Sequence, residues 1–321
     1  MNYTTSEKPT LLVALGGNAL IKKGQEGTIE QQFENLKSPI SQIARLSDQY
    51  KIIITHGNGP QVGNLLLQQE SCDAVPRMPL EILVAQSEGQ IGYMIESTLD
   101  QELMALGVDF KPLVSLITYV VVNKKDPAFK DPTKPIGPVY TKAQAAACPY
   151  PTVETSRGYR RVVASPRPVS IIEKREIKKL IDMDFIVICC GGGGIPVIRK
   201  GRDFSGVEAV IDKDLASARL SEEIGANLFI IATDIEAVML DFSSENQKAL
   251  RYLSLAEAAR YMQKGHFPAG SMLPKVEAAV QFIKKGGQRA VITSIHAIED
   301  AVKGQAGTEI VDETIEERHE A

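Results

Sequence analysis

Leu11-Leu-Val-Ala-Leu-Gly-Gly-Asn18 is an unbroken apolar run that stops on two glycines and an asparagine, and the pattern returns along the 321-residue chain. Ile52-Ile-Ile-Thr55 leads into Gly57-Asn-Gly59, and Phe185-Ile-Val-Ile-Cys-Cys190 leads into Gly191-Gly-Gly-Gly194. Leu113–Val122, Leu228–Thr233 and Ala290–Thr293 are further apolar runs, divided from the others by turn signals and helical patterns. Continuous apolar strands between amphipathic helices predict an α/β fold, a three-layer αβα sandwich around a mainly parallel open sheet.

The residues between the strands agree. Thr28–Gln31 and Ser254–Glu257 are capping boxes that open helices, and Gly286 closes a helix beginning near Met272. Pro39 predicts a kink or break near Ser38 in the helix after Thr28. A helical pattern from Leu80 to Leu106 sets Leu80, Leu83, Val84, Ile91, Met94, Ile95 and Leu103 near one face, for core packing or for a dimer contact.

Composition narrows the function. An apolar share of 44% with 24% charged residues excludes disordered, collagen-like and coiled-coil chains. Thirty-six Lys and Arg stand against forty Asp and Glu, so a polyanion meets overall repulsion and nucleic acid is not an expected partner. No apolar run reaches the roughly 18 residues of a membrane span, and the first ten residues lack the apolar stretch of a secretory signal; a cytoplasmic protein is expected. Cys72, Cys148, Cys189 and Cys190 have no zinc spacing and suggest no disulfide framework, and His56, His266, His296 and His319 are scattered.

One segment departs from the rest. Between Tyr119 and Ser165 stand eight basic residues, Lys124, Lys125, Lys130, Lys134, Lys142, Arg157, Arg160 and Arg161, against three acidic ones, with several prolines. Such a stretch reads as an excursion from the sheet, either a solvated loop or an anion-capturing flap.

In an open parallel sheet ligands bind beyond the carboxyl ends of the strands. Those ends are Gly16-Gly17-Asn18, Gly57-Asn58-Gly59 and Gly191–Gly194, three glycine-rich turns that serve as plain turns or, together, as amide nests for a phosphate. None has the spacing of a P-loop or of a dinucleotide fingerprint. Lys213, within Asp212-Lys213-Asp214, and Lys275, beside Pro274, both stand at predicted helix N-termini, where the macrodipole disfavours a cation by about 0.3–1 kcal/mol. Either their long stems carry the charge into solvent, or both converge with the nests on one anion. The second arrangement is a clamp for phosphoryl transfer.

The chain resembles the carbamate kinase family through Ala14-Leu-Gly-Gly-Asn-Ala-Leu20, Thr55-His-Gly-Asn-Gly-Pro-Gln-Val-Gly63, Asp126-Pro-Ala-Phe129 and Pro132-Thr-Lys-Pro-Ile-Gly-Pro138. Arg160-Arg-Val-Val163, Gly191 to Pro196, Val207-Glu-Ala-Val-Ile-Asp-Lys-Asp214, Gly265-His-Phe267 and Gly270-Ser-Met272 continue it in the family's order. Arg161–Ser165 and Ser271–Lys275 also suggest a carbamate-kinase-like branch.

The resemblance implies an amino-acid-kinase fold over 1–321, with an N-terminal lobe (1–180) for carbamate or carbamoyl phosphate and dimerisation. A protruding subdomain at about 119–165 and a nucleotide lobe (181–321) complete it. It implies ATP or ADP with magnesium held mainly by the nucleotide phosphates, a homodimer, and a place in arginine or purine catabolism. By motif, Lys213, Lys275, Asp214 and Lys134 would be catalytic; Gly16, Gly17, Asn18, Gly57, Asn58, Gly191, Gly192 and Gly193 would cradle the transferred group. Asp212, Thr233, Asp234, Gly270 and Met272 would line the nucleotide side. Two competing expectations are a kinase of another small carboxylate, such as an N-acyl amino acid, and a non-catalytic nucleotide or carbamoyl phosphate sensor.

Overall fold

The computed structural model describes residues 8–108, 110–155, 158–241, 247–268 and 270–312. Arg157 and His319 lie outside them. The first strands are β1 (Thr10–Leu15), β2 (Lys51–His56), β3 (Leu113–Ser115), β4 (Tyr119–Val122), β5 (Lys134–Tyr140), β6 (Thr152–Thr155), β7 (Gly158–Val163) and β8 (Pro168–Ile171). The second half adds β9 (Ile186–Ile188), β10 (Ile195–Lys200), β11 (Asp203–Gly206), β12 (Leu228–Thr233), β13 (Met239–Leu240), β14 (Lys248–Ala249), β15 (Tyr252–Ser254), β16 (Arg289–Ser294) and β17 (Thr308–Val311). The helices are α1 (Ile29–Leu46), α2 (Gly59–Glu70), α3 (Leu80–Ala105), α4 (Lys142–Ala146), α5 (Lys174–Asp182), α6 (Lys213–Ile224), α7 (Leu255–Gln263), α8 (Met272–Lys284) and α9 (Ile298–Val302).

Eight strands form the main sheet in the order β15-β17-β16-β12-β1-β2-β9-β3, and only the β16–β17 pairing is antiparallel. β1 lies between β2 and β12, and all six of its residues are buried. Its alternating side chains serve both faces, which is why it reads as a continuous apolar run. Leu11, Val13 and Leu15 pack with α1, α3 and α9, while Leu12 and Ala14 pack with α5, α6, α7 and α8. The three layers expected from the sequence are therefore present.

Two local expectations need correction. Helix α1 runs through Pro39 without ending near Ser38. An interior proline costs about 3 kcal/mol, but full burial of a Leu or Ile contributes about 1.5–3 kcal/mol, and Leu36, Ile40 and Ile43 are all fully buried on this helix. Gln42 Nε2 also donates to Ser38 O at 3.1 Å. The apolar run Leu113–Val122 is two strands in different sheets: β3 at the edge of the main sheet, and β4 in a four-stranded sheet ordered β11-β10-β4-β8. The switch occurs at Thr118, whose N–H donates to the buried Glu88 carboxyl at 3.0 Å. Both capping boxes and the left-handed Gly286 after α8 are as expected.

The excursion builds its own three-stranded sheet, β5-β7-β6, over residues 134–163. It stands beside α2 and over the carboxyl ends of β1 and β2. The long helix α3 buries Leu80, Leu83, Val84, Ile91, Met94, Ile95 and Leu103 against the body of the chain, so that face is core. Its opposite side leaves Tyr93 and Met104 exposed.

Candidate active site

Because β2, β1 and β12 are neighbours, the turns that leave their carboxyl ends meet in one cleft of about 390 Å³. Gly16, Gly17 and Asn18 come from β1, Gly57 and Asn58 from β2, and Thr233 and Asp234 from β12. Asp212, Lys213 and Asp214 enter at the start of α6, Gly270 and Lys275 at the start of α8, and Lys134 from the start of β5. Met272 lies outside this cleft, in an adjoining cavity of about 230 Å³ lined also by Ile235, Met239 and Pro268. Thr233, Asp234 and Lys275 border both spaces.

Lys213 and Lys275, sixty-odd residues apart, meet on one carboxylate. Lys213 Nζ bonds Asp214 Oδ1, and Lys275 Nζ donates to Oδ2 at 2.8 Å. Their side chains are only 11% and 12% exposed, and that of Asp214 is 4% exposed, so solvent does little to screen the trio. Burial would push the Asp214 carboxyl up, but the two ammoniums hold it well below the usual carboxylate range. Burial, joined by repulsion from Lys275, leaves Lys213 below an ordinary lysine despite Asp214. Burial also works against Lys275, but Asp214, with Asp212 and Asp234 beyond it, raises its pKa on balance.

Asp212 was expected on the nucleotide side; both its oxygens are engaged elsewhere. Oδ1 caps α6 by accepting from the N–H groups of Asp214 and Leu215, at 3.0 and 3.4 Å, and Oδ2 accepts from Lys134 Nζ at 2.9 Å. The subdomain therefore reaches the body at the entrance to the lysine pair. The cleft is lined by three ammoniums, Lys134, Lys213 and Lys275, and three carboxylates, Asp212, Asp214 and Asp234, so its side chains are in charge balance and the uncapped N-terminus of α2 is what favours an anion.

The glycines act less uniformly than the sequence suggests. The N–H groups of Gly16 and Gly57 donate to Ala232 O and Leu15 O, at 2.8 and 2.9 Å, so those residues offer clearance rather than donors. A Cβ on Gly57 would lie 3.2 Å from Gly17 N and 3.5 Å from Lys213 Cδ, closing the floor of the cleft. The N-terminus of α2 carries no side-chain cap and opens into the cleft, leaving the Gly59 N–H for a ligand, since Pro60 has none and the Val62 N–H is bonded to Asn58 O. Of Gly191, Gly192 and Gly193, only Gly192 borders the cleft. Gly191 packs on His56 and Glu88, and Gly193 on the Ile211 backbone, so these two make room for neighbours.

Sequence reasoning missed His56 and Glu88, both buried behind the cradle. Burial, reinforced by Lys213, pushes the His56 imidazole down to about 4, so it is neutral at pH 7. Burial pushes the Glu88 carboxyl well above its usual range. Glu88 has no sequence signature, and His56, though inside the Thr55–Gly63 motif, carries nothing there that marks it as buried and neutral. His56 closes an apolar strand, and Glu88 lies on the buried face of α3.

Comparison with known proteins gives a consistent result. Residues 9–294 match the profile of the amino acid kinase family. The chain is 43% identical over 309 residues to a carbamate kinase of Pyrococcus horikoshii, covering 94% of this chain and 98% of that one. It is 47% identical over 309 residues to a carbamate kinase of Haemophilus influenzae, covering 95% and 97%. The solved structure of Giardia lamblia carbamate kinase bound to AMP-PNP superposes with a TM-score of 0.88 at 38% identity, covering 96% of this chain and 99% of that one.

Proposed function

The chain belongs to the amino acid kinase family, among the carbamate kinases, and from that premise we propose that it transfers a phosphoryl group reversibly between ATP and carbamate. The observation that carries this reading is the Lys213–Asp214–Lys275 trio beneath the glycine turns. In the direction of ATP synthesis, an oxygen of the ADP β-phosphate attacks the phosphorus of carbamoyl phosphate. The bond from phosphorus to the carboxyl oxygen breaks, and its electron pair leaves with carbamate.

Such a transition state spreads negative charge over three equatorial oxygens, and catalysis is mostly positioning and charge neutralisation. We assign Lys213 and Lys275 to those oxygens, with Asp214 holding both ammoniums in place before substrate arrives. Lys134 closes on the carbamoyl end from above. Gly16, Gly17, Asn18, Gly57, Asn58 and Gly192 form the floor, with a donor from the Gly59 N–H that opens α2. Thr233 and Gly270 take the nucleotide phosphates, Asp234 stands beside them as the carboxylate available to a magnesium ion, and the cavity lined by Met272, Ile235, Met239 and Pro268 takes the base. In this reading residues 1–180 hold the acyl phosphate and 181–321 the nucleotide.

Magnesium fits as a nucleotide-borne ion. Among the described residues no three His, Cys, Asp or Glu side chains group as a metal cage, and magnesium commonly keeps several waters and binds through phosphates and one or two carboxylates. Asp234, on the nucleotide side, is the carboxylate available to it. When bound, the ion would neutralise β- and γ-phosphate charge.

The deciding assay is ATP formation from ADP and carbamoyl phosphate by purified protein with magnesium, run beside acetyl phosphate and N-acetylglutamyl phosphate. We expect turnover with carbamoyl phosphate to exceed the others by at least about a hundredfold. Turnover only with an N-acyl substrate would move the acceptor; nucleotide binding without any turnover would make the protein a sensor.

We also propose that it works as a cytoplasmic homodimer through the outer side of α3. Tyr93 and Met104 there are 66% and 65% exposed and border a groove shared with Phe110 and Leu113. Sedimentation is expected at twice the chain's mass, and a single-chain mass at micromolar concentration would refute the dimer.

A further inference from the structure

Both ends of one subdomain strand are tied to the body. β5 begins at Lys134, which meets Asp212 in the cleft, and ends at Tyr140, whose hydroxyl donates to Glu70 Oε2 at 3.2 Å. Helix α2 spans the same gap: its first residues border the cleft and its last is Glu70. At about 1.5 Å per residue α2 covers roughly 18 Å, and the seven residues of β5, at up to about 3.3 Å each, are long enough to span that gap even with the register shift between Ile136 and Tyr140. They approach backbone to backbone near the middle, where a Cβ on Gly63 would lie 3.2 Å from Gly137 Cα.

Glu70 gathers the far end. Its Oε2 also accepts from the Tyr150 hydroxyl at 3.1 Å, and the two tyrosine oxygens are 2.8 Å apart. Its Oε1 faces Arg161 Nη1 at 3.9 Å. The Arg161 guanidinium lies over the Tyr150 ring at 4.6 Å and reaches Glu208 Oε2 at 3.4 Å. Glu208 in turn accepts the Leu80 N–H at 3.0 Å, at the start of α3, and stands four residues before Asp212. Tyr140, Tyr150 and Arg161 belong to the subdomain, whereas Glu70 and Glu208 belong to the body. Burial, then its neighbours Tyr140 and Glu70, raise the Tyr150 pKa, which keeps that hydroxyl a donor at pH 7.

We propose that Glu70, Tyr140, Tyr150 and Arg161 form a clasp that holds the protruding subdomain against α2 and so positions Lys134 at the mouth of the cleft. Glu70 is a positioning residue: it touches no reacting atom, and it acts through β5, which begins at Lys134 and ends at Tyr140. Only the identity of the ligand that Lys134 meets rests on the proposed reaction. Opening the clasp should therefore weaken capture of the acyl phosphate while sparing the nucleotide, whose cavity is lined by residues of the body.

The test compares the wild-type chain with Glu70→Ala and Glu70→Gln by hydrogen exchange and steady-state kinetics. For Glu70→Ala, amides over 134–163 should exchange at least about tenfold faster while β1 and β12 are unchanged. The KM for carbamoyl phosphate should rise about tenfold and the KM for ADP should stay within about twofold. Glu70→Gln keeps a carbonyl acceptor for a tyrosine hydroxyl and should recover part of both effects. Unchanged exchange over 134–163 would overturn the clasp, and an equal rise in both KM values would overturn its positioning role. If wild-type protein makes no ATP from carbamoyl phosphate, the functional reading falls by itself and the exchange rates alone decide the clasp.

Discussion

Replacing Lys213 by alanine is expected to lower kcat for ATP formation about a thousandfold, with Lys275→Ala close behind. Each ammonium is nearly buried and held by one oxygen of Asp214, so its charge acts in a low-dielectric space with no reorganisation needed as phosphorus changes partner. Losing one such preorganised group costs about 2.7–4 kcal/mol of transition-state stabilisation in comparable sites. The fold should survive either change, because Asp214 keeps the other lysine. Lys213→Arg should not restore the rate, since a planar guanidinium does not fit a slot shaped for a point charge. Losses below about tenfold for both alanine variants, with melting temperatures unchanged, would remove the pair from the chemistry.

Asp214→Ala is expected to cost about 3–5 kcal/mol of stability as well as activity, because it strands two buried ammoniums without a common counter-ion. Thermal or urea denaturation measures this directly, and a loss under about 1 kcal/mol would show the trio to be loosely held. The isosteric Asp214→Asn separates charge from shape. Lys213 already lies below an ordinary lysine pKa, and removing the negative charge beside it lowers it further. The alkaline limb of the activity profile should therefore fall at lower pH than in the wild type. In the wild type the depressed Asp214 pKa contributes stability that is present above the ordinary aspartate pKa of about 3.9 and is lost only as the pH falls below it.

Much of this arrangement was legible in the sequence because it is written locally. An apolar strand closed by glycines, a lysine one residue past an N-capping aspartate, and a lysine beside a first-turn proline each carry their signal within ten residues. The glycine turns could be expected to meet because parallel strands deliver their following turns to one edge, and the lysines because α6 and α8, which lead into β12 and β16, start at that same edge. Other features depend on what approaches from afar. The run Leu113–Val122 is apolar throughout, and nothing in it marks the point at which Glu88 captures Thr118 and the chain changes sheets. Gly191 and Gly193 look like a phosphate nest but yield space to His56, Glu88 and Ile211. Pro39 obeys the rule for helix breakers until the buried faces of Leu36, Ile40 and Ile43 outweigh it. Glu70, Tyr140, Tyr150 and Arg161 are unremarkable singly and meet only once the subdomain folds back on α2.

The central position of β1 has a consequence for how the enzyme is made. Leu11 has two partners, Ile52 and Leu228, and the second is not synthesised until over two-thirds of the chain has left the ribosome. At about 5–20 residues per second, the nascent polypeptide spends roughly ten seconds or more with one side of its innermost strand unpaired. The cleft assigned to catalysis, which draws on β12, α6 and α8, cannot exist in any earlier intermediate. A bound nucleotide therefore cannot guide the first half of folding, and the growing amino-terminal portion depends on chaperones or on its own helices to shield that naked edge.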